Sequence, residues 1–154
     1  MEHSVIADNR KAFFNYEILA TYEAGLVLKG HEAKSIRGGH ISLKEAHISF
    51  YNEKGGAVPY LIKAHISPYR SAGHLLDYVP DSPRRLLLNK KEINYLVGKT
   101  QESGLTVVPL KIYTKNSFLK LEIGLAKGRK RADKREVIKT REVNREIQRR
   151  MKGG

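Results

Sequence analysis

The chain has 154 residues, a formal net charge of +13 and a sequence pI near 10.0, so the partner to expect is an anion, either nucleic acid or an acidic membrane surface. It contains no cysteine, which excludes disulfides, thiol catalysis and cysteine–zinc sites. No apolar run is long enough to span a bilayer, and no apolar stretch near the N-terminus resembles a signal peptide, so a soluble, cytoplasmic protein is expected.

With 40% apolar residues, the chain has the composition of a globular domain with one real core. Residues 1–8 read as a short flexible lead-in. Asn9, Arg10 and Lys11 then place an amide and two cations ahead of Phe13 and Phe14. The alternation in YEILATY (16–22) predicts a strand, which Glu23-Ala24-Gly25 interrupts before the apolar Leu26-Val27-Leu28. HEAKSIR (31–37) predicts a short helix stopped by Gly38-Gly39. Strands over 43–51 and 58–66 flank NEKGG, a turn suited to a hairpin.

Residues 67–83 hold three of the five prolines and read as a long loop. RRLLL (84–88) leads into the clearest helix of the body, with Asn89 as N-cap, Glu92 as its capping-box partner and Gly104 as its end. Ile93, Leu96, Val97 and Thr100 form its buried face. Residues 105–113 and 118–125 make a second hairpin across 114–117. In its return strand Leu119, Leu121, Ile123 and Leu125 point inward while Lys120 and Glu122 point outward. The fold class expected is mainly β with short helices (α+β), a small antiparallel β-barrel of the oligonucleotide-binding type over residues 1–126. Periodicity by itself does not separate that barrel from other small β-barrels.

The tail, residues 127–154, carries 12 Lys/Arg against four acids, so net +8 of the chain's +13 lies there. No proline follows Pro109, so the tail can be helical throughout. Only Val137, Val143, Ile147 and Met151 gather on one side of the wheel, a stripe too thin to offset the entropy of ordering the segment. The stripe lacks Trp, Phe and Leu, which argues against a membrane-surface helix. A plain solvated helix laced with Glu–Arg pairs is the alternative, but such pairs leave most of the cations unmatched, which favours nucleic acid. The expected tail is disordered when free and becomes helical where polyanion neutralises it.

Other chemistries find no support. The six histidines show no metal-ligand spacing, so no metal is expected. Gly98-Lys99-Thr100 is not the end of a phosphate loop, because Ile93 stands where that motif needs glycine. No nucleophile-elbow pattern occurs, and no cofactor or catalytic residue is assigned.

Six stretches match one family in order: IADNRKA (6–12), YEAGLVLKGHEAKSIRGG (22–39), HISPY (65–69), RRLLLNKKEI (84–93), GLTVVPLKIYTKN (104–116) and GLAKGRKRADKRE (124–136). On these the chain resembles the bacterial SsrA-binding proteins, the small protein B (SmpB) family, which partner transfer-messenger RNA (tmRNA) in trans-translation. The resemblance implies an oligonucleotide-binding-type barrel that grips the tRNA-like domain of tmRNA. It also implies a tail that enters the decoding centre and mRNA channel of the small subunit of a stalled ribosome. The protein would be a monomeric RNA-binding adaptor for ribosome rescue and peptide tagging, and not an enzyme.

Carried over by position, Asn9, Glu23 and Lys120 fall on family positions tied to RNA binding, and Lys11, Lys34, Ser35 and Arg37 lie in matching motifs on the expected surface. Lys120 suits a phosphate contact, and Asn9 a base edge or sugar. Glu23 either accepts a hydrogen bond from a base amino group, or holds a neighbouring cation such as Lys34, or is only a strand-end turn residue. In the tail, Lys127, Gly128, Arg129, Lys130, Asp133, Lys134 and Arg135 fall in the family's ribosome-contacting block. Ala132 departs from the usual Tyr or His, losing a ring that could stack on a base for roughly 1–3 kcal/mol, and Tyr78-Val79-Pro80 replaces the common His-Asp-Pro. Three classes of function follow: an RNA-binding adaptor, a structural ribosomal protein and an RNA-processing enzyme. The six ordered motifs favour the first.

Overall fold

In the computed structural model, which describes residues 3–70, 73, 77–129 and 131–153, the body is organised by one seven-stranded antiparallel sheet. Its strands are β1 (His3–Asp8), β2 (Tyr16–Leu26), β4 (His47–Glu53), β5 (Gly56–Ile62), β7 (Arg84–Leu87), β8 (Leu105–Lys115) and β9 (Phe118–Gly128), in the order β1-β8-β9-β2-β7-β5-β4. A separate two-stranded ladder joins β3 (Ile41–Ser42) to β6 (His65–Ile66). Helices α1 (Arg10–Asn15), α2 (Gly30–Arg37), α3 (Lys90–Thr100) and α4 (Arg131–Gly153) complete the chain.

The mainly antiparallel α+β class matches the expectation from sequence. The closed barrel does not appear in the hydrogen bonding: the sheet is open, with β1 and β4 as its edges, although β4 approaches β8.

The two hairpins form where turn chemistry asked for them. Asn116 and Ser117, with φ of 50° and 70°, supply the two left-handed positions of a tight turn between Lys115 and Phe118. Asn89 caps α3 as expected, its side chain accepting from the Glu92 amide at 2.8 Å. That helix ends at Thr100 and not at Gly104. The amides of Gln101 and Glu102 turn back onto Gly98 and Lys99, and Gly104 (φ 81°) only closes this irregular segment. Leu96 is the fully buried residue of its inner face, and Ile93, Val97 and Thr100 are partly buried.

Other differences from the sequence reading come from pairing partners distant in the chain. The expected lead-in contains β1, whose residues pair with β8 from His3–Lys115 to Asp8–Lys111. Glu23-Ala24-Gly25 does not break β2, because β9 continues opposite it. RRLL is a strand bridging β2 to β5. The strands expected over 43–51 and 58–66 are shorter and shifted to β4 and β5, and the end of the second becomes β6, which pairs with β3 ahead of the first.

The main core lies inside the curl of the sheet, around Ala24, Leu61, Leu86, Val107, Ile112, Leu121 and Ile123, and is closed by Ile36 of α2 and Leu96 of α3. A second, small core lies on the other face of the sheet, where Ala12 of α1 meets Val108, Leu110 and Ala126. Register shifts at Ile18/Ala20 and Pro109/Lys111 let β2 and β8 change which residues face each side. Gly124 completes that arrangement, because a Cβ there would stand 2.9 Å from Leu110 Cδ1.

Candidate nucleic-acid interface

The registers of four ladders place Val5, Tyr113, Lys120, Gly25 and Leu87 in one row across β1, β8, β9, β2 and β7, on the outer face of the sheet. Tyr113 is buried while Val5 and Leu87 are exposed. Gly25 is bare backbone between Lys120 and Leu87, with the side chain of Leu87 leaning over it. Lys120 makes no ion pair among the described residues, so its charge is available to a phosphate. The row therefore combines a flat floor, an apolar wall and an unmatched cation. Leu87 was not singled out from sequence, since it sits within three consecutive leucines, and only the strand register sends it outward.

The neighbouring row is polar. Glu122 stands between Lys111, whose Nζ lies 3.1 Å from its carboxylate, and Glu23 on β2. The Glu23 carboxylate accepts from the Tyr113 hydroxyl at 2.5 Å and pairs with Lys115 Nζ at 3.3 Å. The Tyr113 bond, more than the Lys115 charge, holds the Glu23 carboxyl below its usual range, while burial and that same bond push the Tyr113 phenol up. Of the alternatives for Glu23, holding a cation is realised, but the cation is Lys115. Lys34 instead lies 5.8 Å from the Tyr69 ring centroid.

Three of the residues expected on the surface have other roles in the fold. Asn9 is 8% exposed; its amide side chain donates to the Pro109 carbonyl at 2.9 Å and its backbone N–H to Leu110. It joins α1 to β8 and leaves its exposed neighbour Lys11 to face solvent. Ser35 is 1% exposed and donates to the Ser67 carbonyl at 2.6 Å. Its neighbours Lys34 and Arg37 are exposed, and Arg37 Nη2 donates to the Ser117 carbonyl at 2.6 Å, tying α2 to the β8–β9 turn. The third is Arg129, discussed below with the tail.

Beneath α2 lies a buried ion pair that sequence reasoning missed. Glu32 and Arg84 are 5% and 3% exposed. Arg84 donates to Glu32 from Nε at 2.9 Å and Nη2 at 2.6 Å, to the carbonyls of Ala64 and Pro80 from Nη1, and to the Tyr78 hydroxyl. Burial pushes the Glu32 carboxyl up, but the Lys29 amide and the Arg84 guanidinium outweigh it and hold it below the usual range. Tyr78, one of the departures from the family pattern, also donates to the Ile66 carbonyl at 2.8 Å. The loop thus helps to position β7 through a tyrosine. A buried pair of charges 52 residues apart has no local signature.

The tail leaves β9 at Gly128 and becomes α4. Its root is fixed to α1: the Arg129 amide donates to Asn15 O at 2.9 Å, Arg129 Nε donates to Tyr16 O at 3.2 Å, and Lys134 Nζ lies 5.9 Å from the Phe14 ring centroid. Lys127 and Arg135 are exposed. Lys130 lies outside the described residues, as do the side chains of Asp133, Val137 and Met151. Further along, Ile138, Val143 and Ile147 are exposed. No helix among the described residues is long and apolar enough to cross a membrane.

The comparisons with known proteins bear on the same surfaces. The SmpB protein family model matches residues 6–153. The SsrA-binding protein of Gloeothece citriformis is 50% identical over 148 residues, covering 96% of this chain and 93% of that protein. The SsrA-binding protein of Geobacillus kaustophilus is 52% identical over 148 residues, covering 96% and 92%. A solved structure described as "tmRNA-SmpB: a journey to the center of the bacterial ribosome" is similar with a TM-score of 0.64 and 41% identity, over 86% of this chain and 93% of that one. Body and tail both fall within the match, and the chain belongs to the SmpB protein family.

Proposed function

We propose that this chain is an RNA-binding adaptor of trans-translation, which binds the tRNA-like domain of tmRNA and brings it to stalled ribosomes. The observation that carries this reading is the family match through residues 6–153, sheet strands and basic tail together. The outer face supplies what the reading needs: Lys120 for a phosphate, the Glu23–Tyr113–Lys115 cluster for polar groups of a base or sugar, and Gly25 and Leu87 for flat apolar contact. Lys11, Lys34 and Arg37 are the direct contacts to expect on α1 and α2, while Asn9 and Ser35 act by positioning them. The approach of β4 to β8 supports an oligonucleotide-binding-type curl, completed by packing more than by ladder hydrogen bonds.

The tail enters the decoding centre and mRNA channel of the small subunit. Lys127, Gly128, Arg129, Lys130, Asp133, Lys134 and Arg135 form the segment that meets ribosomal RNA. Beyond its root the described apolar side chains Ile138, Val143 and Ile147 of α4 are exposed, so they give the helix little packing. Such a helix is marginal in water; the tail is disordered in the free protein and folds when phosphates neutralise it. The protein works as a cytoplasmic monomer without cofactor or metal, and performs no bond chemistry itself.

A salt-titrated binding assay tests the reading, comparing tmRNA with an unrelated RNA of equal length. Tighter binding of tmRNA that persists as salt rises is the expected result, since shape-specific contacts survive screening. If both affinities collapse together, the protein is a general basic RNA binder and the adaptor reading fails.

A further inference from the structure

Phe118 is 68% exposed, more than any other large apolar side chain among the described residues. It is not left outside by disorder of its surroundings. The two preceding residues make the tight left-handed turn of the β8–β9 hairpin, and Phe118 itself is the first residue of β9, paired across the ladder with Lys115. Arg37 reaches the tip from the end of α2 and donates to the Ser117 carbonyl, one residue before the ring. By strand alternation Phe118 shares the outer face with Lys120, two positions along β9. The backbone that carries the ring is thus fixed at a hairpin tip by the β8–β9 ladder and the Arg37 bond, with Lys120 on the same face.

We propose that Phe118 is a stacking platform for one unpaired nucleobase of the bound RNA, with Arg37 and Lys120 supplying charge to the phosphates that flank it. The inference rests on the RNA-binding reading above and adds to it a site for a base. An apolar protein segment would meet the charges of Arg37 and Lys120 beside this ring, Lys115 being paired with Glu23, whereas a nucleotide brings a π-face for the ring and a phosphate for the charges. Every base has such a face, so this contact adds affinity for single-stranded, splayed nucleotides with little preference among the four.

The test is binding of the tRNA-like domain of tmRNA across a salt series by the parent protein, Phe118→Leu, Phe118→Tyr and Lys120→Ala. Phe118→Leu keeps apolar bulk and removes the π-face at an exposed position, so its melting temperature should match the parent's. Its affinity should fall about 5- to 10-fold at every salt, while Phe118→Tyr stays within about twofold. The slope of log K against log salt should not move, because no phosphate contact is lost. Parent-like affinity of Phe118→Leu, with Lys120→Ala weakened, overturns the stacking site and leaves the RNA reading standing. A Phe118→Leu slope flattened like that of Lys120→Ala also overturns it, since the ring would then be supporting a phosphate contact. Should the parent itself show no preference for tmRNA over an unrelated RNA, the underlying reading fails together with the site.

Discussion

Replacing Arg84 by methionine tests whether the buried ion pair clasps α2 to β7. Arg84→Met keeps most of the volume and removes five hydrogen bonds: two to Glu32, one each to Ala64 O and Pro80 O, and one to the Tyr78 hydroxyl. Glu32 stays buried, with the Lys29 amide at 2.9 Å and the Tyr78 hydroxyl at a weak 3.4 Å. An uncompensated buried charge of this kind costs about 3–5 kcal/mol, a large share of the roughly 5–15 kcal/mol that holds a domain folded. For a chain of this length the melting temperature should fall by about 6–20 °C. Urea denaturation at pH 7 measures the loss directly, and the double variant Glu32→Leu/Arg84→Met should recover most of it.

The pH dependence supplies an independent check with a definite sign. In the parent the Glu32 carboxyl is held low by the Lys29 amide and Arg84 against the upward push of burial. Its contribution is therefore complete above the unfolded carboxylate value, about 4.3, and is lost as pH falls through the lowered folded value. In Arg84→Met the cation is gone and burial dominates, so the carboxyl takes up a proton more readily when folded. The gap between parent and variant should narrow as pH falls from 7 toward 4. A loss below about 1 kcal/mol, or a gap that widens on acidification, would refute the assignment of this pair as the clasp between α2 and β7.

Lys120→Ala should weaken tmRNA binding and flatten the line of log K against log salt by roughly 0.7–0.9, the signature of one lost phosphate contact; an unchanged slope removes Lys120 from the interface. Deleting residues 127–154 should leave tmRNA affinity near that of the full chain yet abolish peptide tagging in a reconstituted stalled-ribosome assay, and a fall to the level of unrelated RNA would show that the tail takes part in grip. The far-ultraviolet circular dichroism of the full chain should gain helical signal on adding a polyanion while the tail-deleted protein stays constant. An equal gain in both would place the ordering in the body.

Local chemistry made the hairpin across Asn116-Ser117, the capped start of α3 and the stop of α2 at Gly38-Gly39 legible, because each depends on residues within a turn or two of one another. What stayed hidden needed a partner far along the chain. HSVIAD becomes a strand only because β8 offers an edge, and RRLL only because β2 and β5 leave a space between them. Glu32 and Arg84 look like surface charges until the fold brings them together, and Asn9 and Ser35 look like surface polar groups until the carbonyls of Pro109 and Ser67 claim them. The candidate site divides the same way. Lys120 was legible from alternation in one strand, whereas the row it shares with Tyr113, Gly25 and Leu87 exists only in the registers of three ladders.

The joint between body and tail follows from residues that sequence assigns to ribosomal RNA. Arg129 makes two hydrogen bonds to the α1–β2 junction, and Lys134 lies over Phe14. Two hydrogen bonds of about 0.5–1.5 kcal/mol and an exposed cation–π contact of about 0.5–1 kcal/mol together hold the root by only a few kcal/mol. That is enough to hold the start of α4 beside α1, over the small second core. It is also weak enough for a few phosphate contacts to replace. Under the proposed function, Arg129 and Lys134 would direct the tail from α1 and then exchange those partners for RNA. Gly128, where an added Cβ would meet nothing within 4 Å, leaves the backbone room to turn during that exchange. A tail joined this way follows the body to its RNA without being fixed to one angle, as an adaptor with two RNA partners requires.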